Sequence, residues 1–350
     1  MRRLIIASAV LIVVVLAAFG VRRLSANANR DEGLQLAQAG RVAEAEPFLE
    51  RALARDDRDV EVVAALALAK VGGKEPAAAE DYLTRWCELA PREARPLRLR
   101  MDLRQRIARG KATPADRLRV TELAAEDGRR ALELEPDDDL LRREVARLLV
   151  QAGRFDEAEQ ECRRCLERAP ADAGVLYLLA KACHGQGKRT EAEAALDPVV
   201  RGPAPSAEAL VLRGVLHREA GQPDRAVPLL RKALGLPGCP RKECLYELGL
   251  ALAAAGQGEE AKRVMAELDL VTLEEAIRDK FPATPSMRVQ MADAILRAGR
   301  AEEARARLEA VLAETPDFAP AHRVLADYYD QKGQPERAAE HRRRATSGNE

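Results

Sequence analysis

The sequence AGRFDEA at residues 152–158 recurs as QGKRTEA at 186–192 and as AGQPDRA at 220–226. The glycines of the three stretches stand 34 residues apart, and an alanine follows each glycine by five positions. The same signal appears at four more places, at Gly40, Gly256, Gly299 and Gly333. A fixed period of this length is typical of a chain built from one repeated pair of elements, so the period decides the architecture.

Each repeat carries the signals of two antiparallel helices joined by a tight turn. A glycine at the turn permits a left-handed backbone, and the alanine five residues later lets the second helix approach the first closely. A second small residue stands seven positions before the turn, in the first helix: Gly33, Ala67, Ala146, Ala180, Gly214, Gly249, Ala292 and Ala326. Proline ends the second helix twelve residues after the alanine position, at Pro91, Pro136, Pro170 and Pro316.

The composition agrees with an all-helical chain. Aromatic residues make up 3% of the 350 residues, while apolar residues reach 47%. Alanine, leucine, arginine and glutamate dominate, and these residues lose little on entering a helix. Beyond the first 24 residues, no alternating run of β-branched or aromatic residues indicates a sheet. The 57 basic and 57 acidic side chains balance, so no nucleic-acid partner is expected.

In its period and in its glycine, alanine and proline frame, the chain resembles the tetratricopeptide repeat (TPR) family. The resemblance implies an all-α fold, a right-handed α-solenoid of antiparallel helix pairs, over residues 26–350. About nine units fit this frame: 26–59, 60–93, 94–138, 139–172, 173–206, 207–241, 242–284, 285–318 and 319–350. Two units are longer than the rest, through an insertion near 109–116 and an irregular stretch at 269–284.

The first 25 residues form a separate predicted segment, a transmembrane anchor over residues 1–25. Eighteen residues from Leu4 to Val21 carry no charge, and arginines flank the run on both sides. As a helix the run is about 27 Å long, which matches the hydrocarbon core of a bilayer. A cleaved signal peptide is the alternative, because Ala26-Asn27-Ala28 offers a cleavage site. The short N-terminal tail favours an inner-membrane protein of a bacterium with its repeats outside the cytoplasm; the opposite orientation and secretion stay open.

The sequence shows no pattern of a catalytic or cofactor centre. The four histidines are scattered, without a second histidine at ligand spacing, and His217 takes a core-facing helix position. Cys162, Cys165 and Cys183 fall at core positions of two helices, so we interpret them as small buried side chains. Cys239 and Cys244 flank a short loop, where a disulfide and two thiols are both open. We therefore expect no enzyme activity, no cofactor and no metal.

The resemblance also implies where a partner binds. In the TPR family the first helices line the concave face of the superhelix, and their non-core positions hold a peptide or a partner helix. Carried over to this chain, the groove residues are Arg98, Asp102, Arg143, Arg147, Tyr177, Lys181, Arg218, Tyr246, Asp293, Arg323, Asp327 and Asp330. Three of them, Arg143, Arg147 and Lys181, suit the carboxylates of an acidic segment. A solvated charged face is the alternative interpretation.

These features predict a scaffold without catalytic activity, attached to a membrane through residues 4–21, that binds a protein partner in its groove. Two alternatives share the fold: a periplasmic or secreted binding module released by signal cleavage, and an assembly factor of the bacterial envelope. A third alternative belongs to another class, a metal protein with Cys162, Cys165 and Cys183 as ligands.

Overall fold

The computed structural model describes residues 28–73, 75–111, 113–278 and 283–347. Within these ranges every regular element is an α-helix, and we number the helices α1 to α18. Their bounds are α1, 28–38; α2, Val42–Leu53; α3, Val60–Val71; α4, Pro76–Leu89; α5, Ala94–Gly110; α6, Pro114–Leu134; α7, Asp139–Gln151; α8, Phe155–Arg168; α9, Ala173–Gly185; α10, Arg189–Arg201; α11, Ala207–Glu219; α12, Pro223–Leu234; α13, Arg241–Ala254; α14, Gly258–Arg278; α15, Pro285–Arg297; α16, Ala301–Glu314; α17, Ala319–Gln331; and α18, Pro335–Ser347.

The predicted anchor, residues 1–25, lies outside the residues that the structure describes. Among the helices that the structure does describe, none combines the length and the apolar character needed to cross a bilayer. The proposed attachment to a membrane therefore rests on the sequence alone.

The chain divides into two compact units, one ending at Gln186 and the other beginning at Gly187. The first unit contains α1 to α9, and the second contains α10 to α18. Within each unit, helices that follow one another along the chain pack side by side as antiparallel pairs. This arrangement confirms the predicted all-helical repeat fold. The single repeat domain over 26–350 and its division into nine units stay predictions.

The turns between paired helices use glycine as the sequence predicted. At the turn between α7 and α8, Gly153 has φ +73°, in the left-handed region that other residues avoid. Its N–H donates to the Val150 carbonyl at 3.2 Å, and the N–H of Arg154 donates to the Leu149 carbonyl at 2.9 Å. These two bonds satisfy carbonyls at the end of α7 and reverse the chain. The same pair of bonds recurs at Gly40, Gly221, Gly256, Gly299 and Gly333.

The small residues and the prolines also lie where the repeat frame places them. A Cβ atom on Gly214 would come within 2.7 Å of Leu230 Cγ, so α11 and α12 pack too closely there for any larger residue. Second helices α4, α6, α8 and α16 each end two residues before one of the predicted prolines, Pro91, Pro136, Pro170 and Pro316. The sequence frame thus sets both the spacing and the length of these helices.

The two irregular stretches are mainly added helix. The insertion near 109–116 lengthens both helices of its pair, so that α5 has 17 residues and α6 has 21, against 13 in α7. The stretch at 269–284 begins inside α14, which continues to Arg278 and also has 21 residues. Where the structure describes these stretches, the added length therefore extends helix pairs.

A buried ion pair joins α5 to α6. Arg100 donates to Asp127 twice, from Nε to Oδ2 at 2.9 Å and from Nη2 to Oδ1 at 2.6 Å. Arg104 adds a third bond, from Nη1 to Asp127 Oδ2 at 2.7 Å. The Asp127 side chain is only 3% exposed, and that of Arg100 is 8% exposed. Bidentate geometry of this kind satisfies charges that would otherwise be costly to bury.

Candidate functional site

The predicted groove residues lie on the first helix of successive pairs. In the first unit, Arg98 and Asp102 lie on α5, Arg143 and Arg147 on α7, and Tyr177 and Lys181 on α9. In the second unit, α11 carries Arg218, α13 carries Tyr246, α15 carries Asp293, and α17 carries Arg323, Asp327 and Asp330. All of these side chains are exposed or half-buried, as a binding surface requires.

Two of the predicted cations in the first unit are already paired with carboxylates. Arg98 contacts Glu135 at 2.8 Å and Asp138 at 2.6 Å, and these acceptors raise the pKa of its guanidinium. Arg143 lies 3.3 Å from Asp172, which also caps the first turn of α9. Their positive charge is therefore partly compensated inside the protein.

Arg147 and Lys181 each contact a residue one turn away on their own helix. Arg147 pairs with Glu144 one turn away, and that hydrogen bond lowers the pKa of Glu144. Its Nη2 also donates to Gln105 Oε1 on α5 at 2.7 Å. The Lys181 ammonium lies 5.8 Å from the centre of the Tyr177 ring, within the range of a cation–π contact.

A cationic pocket lies between α5, α6 and α7. Its volume is about 480 Å³, which suits a few side chains of a partner. The polar groups on its wall are Gln105, Arg109, Arg117, Thr121, Arg147 and Gln151. We call it the α5–α7 pocket. Of its residues, only Arg147 belonged to the predicted groove.

The added helix length creates this pocket. Arg109 is in the last turn of α5, and Arg117 is in the first turn of α6, on either side of the insertion. Both side chains are exposed, and neither forms an ion pair with any residue in the part of the chain that the structure describes. Arg109 interacts electrostatically with Glu144, whose carboxylate is already bound by Arg147. The pocket therefore carries positive charge that the protein does not neutralise.

In the second unit the predicted groove residues include basic, acidic and aromatic side chains. Arg218 contacts Glu247 at 2.7 Å, Asp293 accepts from Arg297 at 3.1 Å, and Asp330 pairs with Arg342. Tyr246 is 47% exposed. Of the three predicted acidic residues in this unit, Asp293, Asp327 and Asp330, two are bound to arginines.

The cysteines that were considered as metal ligands are packed in the protein interior. Cys162 and Cys165 belong to one apolar cluster with Ala146 and Val175, and Cys183 is buried too. Burial raises the pKa of Cys162 to about 12, which opposes the thiolate form that binds metal. These positions agree with the interpretation as small buried side chains.

The second cysteine pair lies in the unit that begins at Gly187. Cys244 is buried, its Sγ donates to the Leu230 carbonyl at 3.3 Å, and burial raises its pKa to about 12. Cys239 is half-buried. All six cysteines lie among the described residues, and none forms a disulfide there. The prediction that His217 faces the core is wrong, since its side chain is only half-buried. Its Nδ1 lies 3.2 Å from Gln222 Oε1 at the turn after α11.

A chain of helix pairs with glycine turns and a charged face on its first helices defines an α-solenoid repeat protein. Three family models, each described as Tetratricopeptide repeat, match residues 139–182, residues 177–241 and 211–269, and residues 270–328 and 295–341. Together the matches run from 139 to 341, more than half of the chain. The chain therefore contains tetratricopeptide repeats over residues 139–341.

Solved structures of TPR proteins resemble the chain at low sequence identity. A tetratricopeptide repeat protein from Parabacteroides merdae is 20% identical, with 64% of this chain and 83% of that chain covered and a TM-score of 0.38. MamA from Desulfovibrio magneticus is 17% identical, with coverages of 50% and 93% and a TM-score of 0.41. YrrB, a TPR protein with an unusual peptide-binding site, is 18% identical, with coverages of 64% and 93% and a TM-score of 0.29. A comparison with curated proteins found no match.

Proposed function

We propose that this protein is an interaction scaffold that binds an acidic segment of a partner protein at the α5–α7 pocket. Stacked repeats create extended concave surfaces that such proteins use to bind other proteins. The observation that carries the proposal is the pair Arg109 and Arg117, two guanidinium groups without a carboxylate partner among the described residues, on the wall of one pocket.

The chemistry of the pocket favours carboxylates. A guanidinium offers a planar fork of donors that matches a carboxylate, and it keeps its charge at any physiological pH. Gln151 adds a neutral donor and acceptor for the same segment, and the Thr121 hydroxyl, whose proton is donated to the Arg117 carbonyl, can still accept a hydrogen bond. Both guanidinium groups are exposed, where one ion pair contributes about 1 kcal/mol or less, so recognition depends on the two groups acting together.

The membrane attachment is a second part of the proposal and rests on sequence. The run from Leu4 to Val21 is long enough to cross a bilayer and has arginines at both ends. A scaffold attached in this way would hold its acidic partner close to the membrane surface. Sodium carbonate washing of membranes tests this part: an anchored chain stays in the pellet with its first residues intact. A processed chain is released and begins after Ala28 instead.

The experiment on the pocket uses the purified full-length chain in detergent and a fluorescent peptide with four consecutive glutamates. Fluorescence anisotropy gives the dissociation constant for the native chain and for the double variant Arg109→Glu, Arg117→Glu. We expect the double variant to bind on the order of 10- to 100-fold more weakly, because two charge-assisted contacts become repulsive. The native affinity should also fall with added salt.

A matched control variant distinguishes the loss of the pocket from the effect of a changed net charge. Arg119 lies on α6 and Arg92 precedes α5; both are exposed, and neither lines the pocket. The variant Arg92→Glu, Arg119→Glu changes the net charge as much as the pocket variant does, and it should keep native affinity. Equal weakening by both double variants, or no binding by the native chain, would reject the pocket as the binding site.

A further inference from the structure

Two histidines meet between the last two helices of the second unit. His322 on α17 and His341 on α18 place their Nδ1 atoms 2.9 Å apart. His322 is 1% exposed, while His341 is half-buried. The two residues are 19 positions apart in the sequence, and the turn between the helices brings them together.

The hydrogen bonds of His322 fix which nitrogen carries its proton. Its Nε2 lies 2.9 Å from the carbonyl oxygen of Pro316. A carbonyl can only accept, so Nε2 carries the hydrogen, and the Nδ1 of the neutral ring presents a lone pair towards His341. A histidine that binds a metal commonly donates its second ring N–H to a backbone carbonyl in this way, which orients the ring and sets its tautomer.

The hydrogen bond between the two rings sets the separation of the nitrogens, and this separation fits chelation at a right angle. A metal–imidazole bond is about 2.0–2.1 Å long, so two nitrogens 2.9 Å apart subtend roughly 90° at a shared metal ion. That angle belongs to adjacent positions of a square-planar or octahedral ion. A tetrahedral ion such as Zn²⁺ would hold the nitrogens about 3.3 Å apart.

We propose that His322 and His341 form a two-imidazole chelate for a divalent transition-metal ion of the square-planar or octahedral kind, Ni²⁺ or Cu²⁺. Both rings bind through Nδ1. In the free pair the His341 Nδ1–H donates to His322 Nδ1; when the ion binds, that proton passes to water and His341 Nε2 takes one up, so the pair stays neutral with no net loss of a proton. Because His341 is half-buried, solvent reaches its side of the site, and water completes the coordination.

The surroundings hold the second ring in place. The Tyr329 ring stacks on His341, with the ring centres 5.3 Å apart and an angle of 11° between the planes. On the same helix, Arg344 pairs with Glu340 at 2.7 Å, and Arg342 pairs with Asp330. The stacked ring holds His341 in a fixed orientation, which reduces the reorganisation that binding an ion requires.

The test is isothermal titration of the full-length chain with Ni²⁺ at pH 7.5, with the protein purified without a polyhistidine tag. We expect one site per chain whose affinity falls at least about tenfold in His341→Ala, since even the loss of a supporting residue costs that much. His217→Ala is the matched control, because His217 is also half-buried and also bonded through Nδ1, yet it lies on another helix pair. It should bind as the native chain does.

A second measurement keeps the test independent of folding. Electron paramagnetic resonance of the Cu²⁺-loaded chain should show coupling to two nitrogen atoms, reduced to one in His341→Ala. Circular dichroism of the variant checks that its helices remain. Absence of Ni²⁺ binding by the native chain, or binding unchanged in His341→Ala, would overturn the proposal and leave the pair as a hydrogen bond between two rings.

Discussion

Two helix pairs, α5–α6 in the first unit and α11–α12 in the second, are held together by different chemistry. The first pair buries a carboxylate between two arginines, Asp127 with Arg100 and Arg104. The second pair has no side chain at Gly214, and Leu230 fills the space. The difference teaches that one pair depends on complete charge neutralisation, whereas the other depends on available volume. Each pair should therefore fail under a different kind of substitution.

The largest effect is expected from Asp127→Ala. The substitution leaves Arg100 buried without its carboxylate partner, which costs about 3–5 kcal/mol, whereas the half-buried Arg104 keeps its ion pair with Glu80. Hydrogen exchange of the α5 and α6 amides, with urea unfolding of the whole chain, measures the loss. Asp137→Ala is the control, because that side chain is 86% exposed and its pairing with Arg168 contributes at most about 1 kcal/mol. Similar losses in the two variants would contradict the distinction.

The second prediction concerns volume in the α11–α12 pair. Gly214→Ala is expected to destabilise the pair by about 1–3 kcal/mol, although alanine favours helix by about 1 kcal/mol over glycine. The reason is that the new Cβ would lie 2.7 Å from Leu230 Cγ, which is fully buried. Thermal unfolding and hydrogen exchange of α11 provide the measurement.

Two variants sharpen this second prediction. Gly235→Ala, at the end of α12, has an ordinary φ of −82° and 3.6 Å to the nearest atom, so it should leave stability unchanged or slightly raised. In the background of Leu230→Ala, the cost of Gly214→Ala should disappear, because the clashing side chain is gone. A cost that persists in that background would show that the backbone, and not the packing, requires glycine.

The smallest effect is a dependence on pH that His217 adds to the same pair. Burial lowers the pKa of His217 below that of an unfolded histidine, about 6.5. The unfolded chain therefore binds the proton more readily, and the contribution of His217 to stability is present above pH 6.5 and lost as the pH falls towards the folded pKa. Urea midpoints at pH 7.5 and pH 5.0 should differ more in the native chain than in His217→Gln. Equal differences would show that other groups carry the effect.

The fold was largely predictable because its determinants are local and periodic. Gly153 and its equivalents mark the turns, and Pro170 and its equivalents follow the ends of the second helices, each for a reason of backbone geometry. The sequence showed an insertion between α5 and α6, but it did not show that the inserted residues extend the two helices. The burial of Arg100 could have been predicted from its spacing. It lies one turn from Leu97 and from Arg104, on the side of α5 that faces α6.

The candidate sites were less predictable because they depend on contacts between helices. Arg143 and Arg147 were chosen from the repeat frame, yet their carboxylate partners lie at positions that the frame does not specify. Arg109 and Arg117 were missed because the insertion places them outside the frame. The pair His322 and His341 was missed because spacing along one helix cannot show a contact across a turn.

The local character of the contacts also bears on synthesis at the ribosome. Within each unit, among the described residues, helices pack only on neighbours one or two places away in the chain. At roughly 5–20 residues per second, a 34-residue repeat takes about 2 to 7 s to emerge, while contacts this local form in microseconds to milliseconds. Each pair can therefore fold before the next appears. The apolar surface open to aggregation at any moment is confined to the most recently made pair.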